Sequence, residues 1–189
     1  FRTIVHALSN AKAGDTIYVD AGIYDSYTVV SSTETAGIKI DTDNLTIIGK
    51  DSAATVIDPP GLYWYPGLFG VYADSQSGIV VKNIGVTGAY DGIKLVNVDN
   101  AVLWGNSITS CGNSTSNSNN MGLNLQASSY NTFSNNIMNS NTNYGVSLRS
   151  GANGNTLCSG TITSSTLYGI FVNGNSANGV CNNVVSQSG

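Results

Sequence analysis

Charge is what this chain has least of. Seven Lys and Arg stand against eleven Asp and Glu in 189 residues, 10% of the total and a net charge of -4. So sparse a set of cations offers no basic footprint for nucleic acid. There is one histidine, His6, and only three cysteines, and no metal cluster or cofactor is expected from them. No apolar run approaches 18 residues, so nothing reads as a membrane-spanning helix. Lys and Glu are rare while Asn, Ser, Thr and Gly abound, a balance expected of an extracellular or cell-surface β-protein, with the periplasm as a further compartment. The mass of 19.6 kDa and a mean hydropathy near zero fit one folded domain, residues 1–189, with a continuous core.

What the chain does have is a repeat. A glycine followed by alternating apolar residues recurs as Gly37-Ile-Lys-Ile, Gly70-Val-Tyr-Ala, Gly92-Ile-Lys-Leu, Gly122-Leu-Asn-Leu, Gly145-Val-Ser-Leu and Gly169-Ile-Phe-Val. The last five start at intervals of 22, 30, 23 and 24 residues, the signature of stacked copies of one unit. Further apolar positions follow in each copy (Val81, Leu103, Phe133, Leu157, Val180, then Val86, Ile108, Met138, Ile162, Val185). Alternation such as Ile93 and Leu95 inward with Lys94 and Val96 outward has the strand period of two. Asn106, Asn136 and Asn183 recur at one offset, with Ile84 and Gly160 in the other copies, and stacked asparagines can bond one another up an axis. The expected fold is all-β, a right-handed parallel β-helix of about seven coils. Residues 3–13 place Ile4, Leu8 and Ala11 on one helical face and are expected to cap the first coil, before Gly14-Asp15 breaks into a strand. No matching cap is visible at the other end, which reads as one piece of a longer protein or a unit that stacks on a neighbour.

The segment Ala7 to Tyr24, with Asn44-Leu-Thr-Ile-Ile-Gly and Gly78-Ile-Val-Val-Lys-Asn-Ile-Gly-Val, resembles the opening of pectate-lyase-like right-handed β-helix proteins. More narrowly it is similar to the carbohydrate-binding and sugar-hydrolase repeats of periplasmic and archaeal surface proteins. The resemblance implies the fold across nearly the whole chain. It implies little about function, because lyases, hydrolases, epimerases, adhesins and copper-enzyme maturation factors share that superfamily. Copper delivery needs a His and Met cluster that this sequence lacks.

All eleven carboxylates lie at or before Asp99, and beyond Asn100 the only charged side chain is Arg149. Glycosidases need two acids flanking the bond, and the calcium-assisted lyases of this fold need several carboxylates with a base. Three of the six phrase-bearing coils contain no acid. The remaining catalytic candidates are Asp74, Lys94 and Asp99, with Asp91 and Lys82 nearby; the ordinary explanation for them is solvated outer-face charge and, for Asp91-Gly92, a turn.

Two insertions break the period, residues 58–69 and 111–120. The first carries Tyr63, Trp64, Tyr65 and Phe69 on a proline-stiffened loop, suited to a protein interface, to sugar stacking or to a local lid. The second is nearly pure Ser, Asn, Thr and Gly and holds Asn113-Ser-Thr115, an N-glycosylation triplet like Asn44-Leu-Thr46. Cys158 and Cys181 fall at equivalent positions of adjacent coils, either as a disulfide or as two free thiols, and Cys111 is left over at a loop start. The expected function is a non-catalytic structural or adhesive building block of a surface layer, sheath or filament, self-associating or bound to envelope proteins. The alternative is a polysaccharide-binding or polysaccharide-degrading module with glycans as partners.

Overall fold

The computed structural model describes residues 3–61, 67–112, 120–174 and 176–186. Its strands form three seven-stranded sheets; the first two take one short strand from each successive rung, and the third has six such strands and one added at its edge. The first sheet runs from Thr16–Val19 through Thr46–Gly49, Val80–Lys82, Val102–Trp104, Thr132–Ser134 and Thr156–Cys158 to Gly179–Cys181. The second runs from Gly22–Tyr24 to Val184–Ser186. The third contains Glu34–Ile40, Gly67–Asp74, Asp91–Val96, Met121–Gln126, Tyr144–Arg149 and Tyr168–Asn173, with Thr28–Ser31 added antiparallel at its first edge. All other pairings are parallel, so the chain is the expected β-helix of seven rungs.

Register turns the repeat into pillars. Ile38, Val71, Ile93, Leu123, Val146 and Ile170 stack in one column, and Ile40, Ala73, Leu95, Leu125, Leu148 and Val172 in the next. The first sheet contributes Ile17, Ile47, Val81, Leu103, Phe133, Leu157 and Val180. Except for Val172 and Val180 in the last strands, these residues form or pack against a single buried cluster, a major source of stabilisation in the molecule.

The recurring glycines have a packing reason. A Cβ on Gly92 would run into the Ile108 side chain and the carbonyl oxygen of Gly122, and one on Gly145 into Ile162 and the carbonyl of Gly169. The Cβ position of the glycine and the side chain of the residue after it both face the core here. The residue before each glycine and the residue two after it therefore both face outward.

Asparagines hold the corners. The Asn136 Oδ1 accepts from the Asn106 backbone N–H and side-chain amide, each at 3.0 Å, while Asn136 Nδ2 donates to the Leu103 carbonyl. This is the anticipated ladder. A second, at another corner, consists of Asn131, Asn155 and Asn178, with Asn131 accepting from Ala101 N–H at 2.7 Å and donating to Val98 O. At the third corner Asn141 accepts from Cys111 N–H and donates to Ile108 O. Each amide satisfies two buried backbone groups of the preceding rung, an N–H and a carbonyl three residues before it, that would otherwise lie unpaired.

The N-terminal helix is Ile4–Leu8, shorter than the expected residues 3–13. Thr3 caps it by accepting from His6 N–H, but Ser9 Oγ and Asn10 Nδ2 both donate to the His6 carbonyl and end the helix. Ile4 and Ala7 still pack down on the first rung. Cys158 and Cys181 are register partners on the outside of the first sheet and are disulfide-bonded, their Cα atoms 4.6 Å apart.

Cys111, expected at a loop start either free or paired with another chain, is a free cysteine. It is 0% exposed, inside the core, and burial pushes its thiol up to about 12. A thiol so placed is unavailable to another chain.

Two outcomes follow. Native protein treated with a thiol reagent at neutral pH should release no signal, and one thiol per chain should titrate after addition of denaturant. Replacing Asn131 by Ala, which strips partners from Ala101 N–H and Val98 O, should lower the unfolding free energy in urea by about 3 kcal/mol.

Candidate functional site

The outer face of the third sheet carries an unusual set of side chains for a solenoid surface. One outward column reads Ala36, Phe69, Asp91, Met121, Tyr144, Tyr168, and the other Lys39, Tyr72, Lys94, Asn124, Ser147, Phe171. From Gly67–Asp74 to Tyr168–Asn173 this face covers four rung spacings, about 19 Å.

At its centre lies Asp91. It is the first residue of a strand, not a turn residue, and is 3% exposed. Its Oδ1 accepts from Met121 N–H at 3.1 Å and its Oδ2 from Asn124 Nδ2 at 2.8 Å. Burial pushes its carboxyl up to about 6, against the smaller downward pull of Asn124, Lys94, the Met121 N–H and Arg149. Beside it, Asn124 and Ser147 are fully buried register partners, and among the described residues Asn124 Oδ1 and Ser147 Oγ have no hydrogen-bond partner. Buried orphan oxygens in a native fold call for an explanation, commonly a water or a ligand.

Aromatic rings flank this polar centre along the axis. Toward the first rungs, Phe69 and Tyr72 stack at 5.1 Å, and the Lys94 ammonium sits 4.3 Å above the Phe69 ring and 3.4 Å from Glu34 Oε1. Tyr72 donates to Asp74 Oδ2 at 3.3 Å, and burial followed by Asp74 pushes its hydroxyl up to about 12, so it remains a donor. Toward the last rungs, Tyr144 and Tyr168 stack at 5.9 Å, Phe171 packs on both, and Arg149 lies 5.0 Å from the Tyr144 ring.

Of the residues singled out in the sequence, Lys94 and Asp74 come to this face. Asp99 does not: it sits at the following corner, where Oδ1 accepts from Ser129 N–H at 2.7 Å, one of a column of such Asx contacts that includes Asp43 to Ser77 and Asn153 to Ser176. Phe69 is not on an exposed loop; it belongs to the strand Gly67–Asp74 and is buried. Tyr63, Trp64, Tyr65 and Asn113 lie outside the described residues. Asn44 is exposed at a corner, with φ 54°, its N–H donated to the Ser77 carbonyl. Asn124, Ser147, Tyr144, Phe171 and Arg149 were not anticipated; reading down the position two after each phrase glycine would have found Asn124, Ser147 and Phe171.

Residues 8–189 match a family model described as "Periplasmic copper-binding protein (NosD)". The chain belongs to the NosD family. Two solved structures are similar to it: an alginate lyase from Paenibacillus sp. str. FPU-7, with TM-score 0.65 and 16% identity over 95% of this chain and 72% of that one, and the periplasmic alginate epimerase AlgG, with TM-score 0.56 and 14% identity over 92% and 43%. The chain thus spans less than half of the epimerase. No curated protein sequence matches significantly. These neighbours establish the pectate-lyase-like β-helix fold. The periplasmic family agrees with the export expected from composition, and a bonded Cys158–Cys181 pair suits such a compartment. Among the described residues no helix is long and apolar enough to cross a membrane.

The donors present do not fit copper. His6 is exposed on the N-terminal helix, Met138 is a core residue, Met121 is fully buried, Cys158 and Cys181 are bonded to each other, and Cys111 is a core thiol. The described residues contain no group of three His, Cys, Asp or Glu placed to share an ion.

Because Asp91 holds its proton more tightly folded than unfolded, its contribution to stability is complete below about pH 4 and is lost as pH rises through about 6, a cost of about 3 kcal/mol at neutral pH. Urea unfolding between pH 4 and 8 should show this loss in the native protein, and Asp91→Asn should flatten it.

Proposed function

We propose that the protein is a periplasmic polysaccharide-binding β-helix whose chain-binding surface is the outer face of the third sheet. The observation that carries this is the cluster of partly exposed rings Tyr144, Tyr168 and Phe171, with Arg149 laid against two of them, next to the buried polar centre of Asp91, Asn124 and Ser147. Aromatic faces accept the apolar faces of sugar rings, and polar groups between them accept hydroxyls. A length of about 19 Å suits several sugar units in line. That the two structural neighbours are alginate-acting proteins supports the same reading.

Binding is favoured over hydrolysis. Asp74 lies opposite Val96, five residues along the strand from Asp91, about 17 Å and too far for a flanking pair of acids. Labelled protein should bind at least one member of a panel of plant, algal and bacterial polysaccharides. The double change Tyr144→Ala with Phe171→Ala should weaken that binding about tenfold or more while the far-ultraviolet spectrum is kept. Absence of binding across the panel would remove the proposal.

A further inference from the structure

The N-terminal helix leaves part of the first rung uncovered. Between it and the start of the third sheet lies a half-open cavity of about 310 Å³. That is the small end of the range for ligand pockets, about 300 Å³ and upward, and it suits one small molecule and not a polymer. Its floor is apolar, made by Val5, Leu8, Ala11 and Leu45, of which the first three are partly exposed. At its rim stand Lys39 and Asp41, with Lys39 Nζ 3.0 Å from Asp41 Oδ2 and the Asp41 side chain 64% exposed. An ion pair in contact with water contributes little, so exchanging its partners for those of a ligand is nearly neutral.

The third wall is a strand edge. Thr28, also in the lining, opposes Ala36, Val29 opposes Thr35 and Ser31 opposes Glu34, so the antiparallel edge strand covers only residues 34–36. Among the described residues no strand pairs with residues 37–40 on that side. A bare edge presents backbone N–H and C=O groups in turn. The cavity thus offers an adjacent positive and negative charge, backbone donors and acceptors, and an apolar floor.

We propose that this cavity binds a free aliphatic α-amino acid. The α-ammonium and α-carboxylate of such a molecule sit on one carbon, and this close spacing pairs them with Asp41 and Lys39 side by side. The remaining ammonium protons go to edge carbonyls, the carboxylate accepts from edge N–H groups, and the aliphatic side chain lies on Val5, Leu8 and Ala11. A sugar has no side chain for the apolar floor, and a fatty acid leaves Asp41 without a cation. The cavity lies at the opposite end of the solenoid from Tyr144 and Phe171 and does not rest on the polysaccharide reading.

The test is equilibrium dialysis of the full chain at neutral pH with radiolabelled L-leucine. The unlabelled competitors are L-leucine, L-valine, L-glutamate, leucinol, which lacks the carboxylate, and isocaproate, which lacks the ammonium. One retained leucine per chain is expected, displaced by leucine and valine, with the other three needing about tenfold higher concentration or more. Lys39→Met and Asp41→Asn should each weaken leucine binding about tenfold while the urea midpoint is unchanged, because the pair is exposed to water. No retention of leucine would overturn the proposal. So would displacement by leucinol and isocaproate as effective as by leucine, or unchanged leucine binding in both variants.

Discussion

Everything in this molecule depends on rungs lying one hydrogen bond apart. Away from the sheet edges, each strand pairs in parallel with its counterpart in the neighbouring rungs, so its side chains have partners of equivalent position beside them. The spacing is set by the peptide group, about 4.8 Å, and is the same for an isoleucine pillar, an asparagine ladder or a stack of rings. Like must therefore pack on like, or on something of compatible shape, along the whole axis. The glycine column shows how strict this is, since a Cβ on Gly37, Gly70, Gly92 or Gly145 meets both a side chain of the second sheet and the carbonyl of the next rung.

That constraint makes the corners and the outer face complementary in chemistry. At the corners, asparagine is used because one side chain both accepts from an N–H and donates to a carbonyl of the preceding rung, closing backbone groups where the strands turn. On the third sheet the outer columns are freed from the core, and there the sequence changes from rung to rung: aromatic, acid, thioether, aromatic in one column, and lysine, tyrosine, lysine, asparagine, serine, phenylalanine in the other. Variation on a rigid lattice is how a solenoid gains specificity without changing its fold. The NosD family membership and the two alginate-acting neighbours define that lattice, while the columns define this chain.

Much of the lattice was legible in the sequence. The phrase glycines and the apolar offsets are local patterns, and they predict the rung number, the core columns and the first asparagine ladder. The ladders of Asn131 and of Asn141 were hidden, because asparagine is abundant here and those positions carry Ala101 or Cys111 in neighbouring rungs. Asp91 was misread for a physical reason: Asp before Gly is the commonest local signal for a turn, and only the pairing of its strand on both sides buries it. The contact between Asp91 and Asn124 spans the longest interval of the last five phrase glycines, so nothing within either segment announces it. Counting acids pointed away from the C-terminal half, yet the groups that complete this face there are an amide, a hydroxyl and rings, which carry no formal charge.

The cross-link between Cys158 and Cys181 gains meaning from its place. It ties the penultimate strand of the first sheet to the final one, at the end where the inward valines are half uncovered. A solenoid unravels from its least protected turn, because peeling that turn sacrifices one interface and not two. With the covalent tie in place, a peeled turn stays tethered beside its seat and re-anneals quickly. An oxidising milieu thus acts as a latch between these two turns, and reduction would release one from the other.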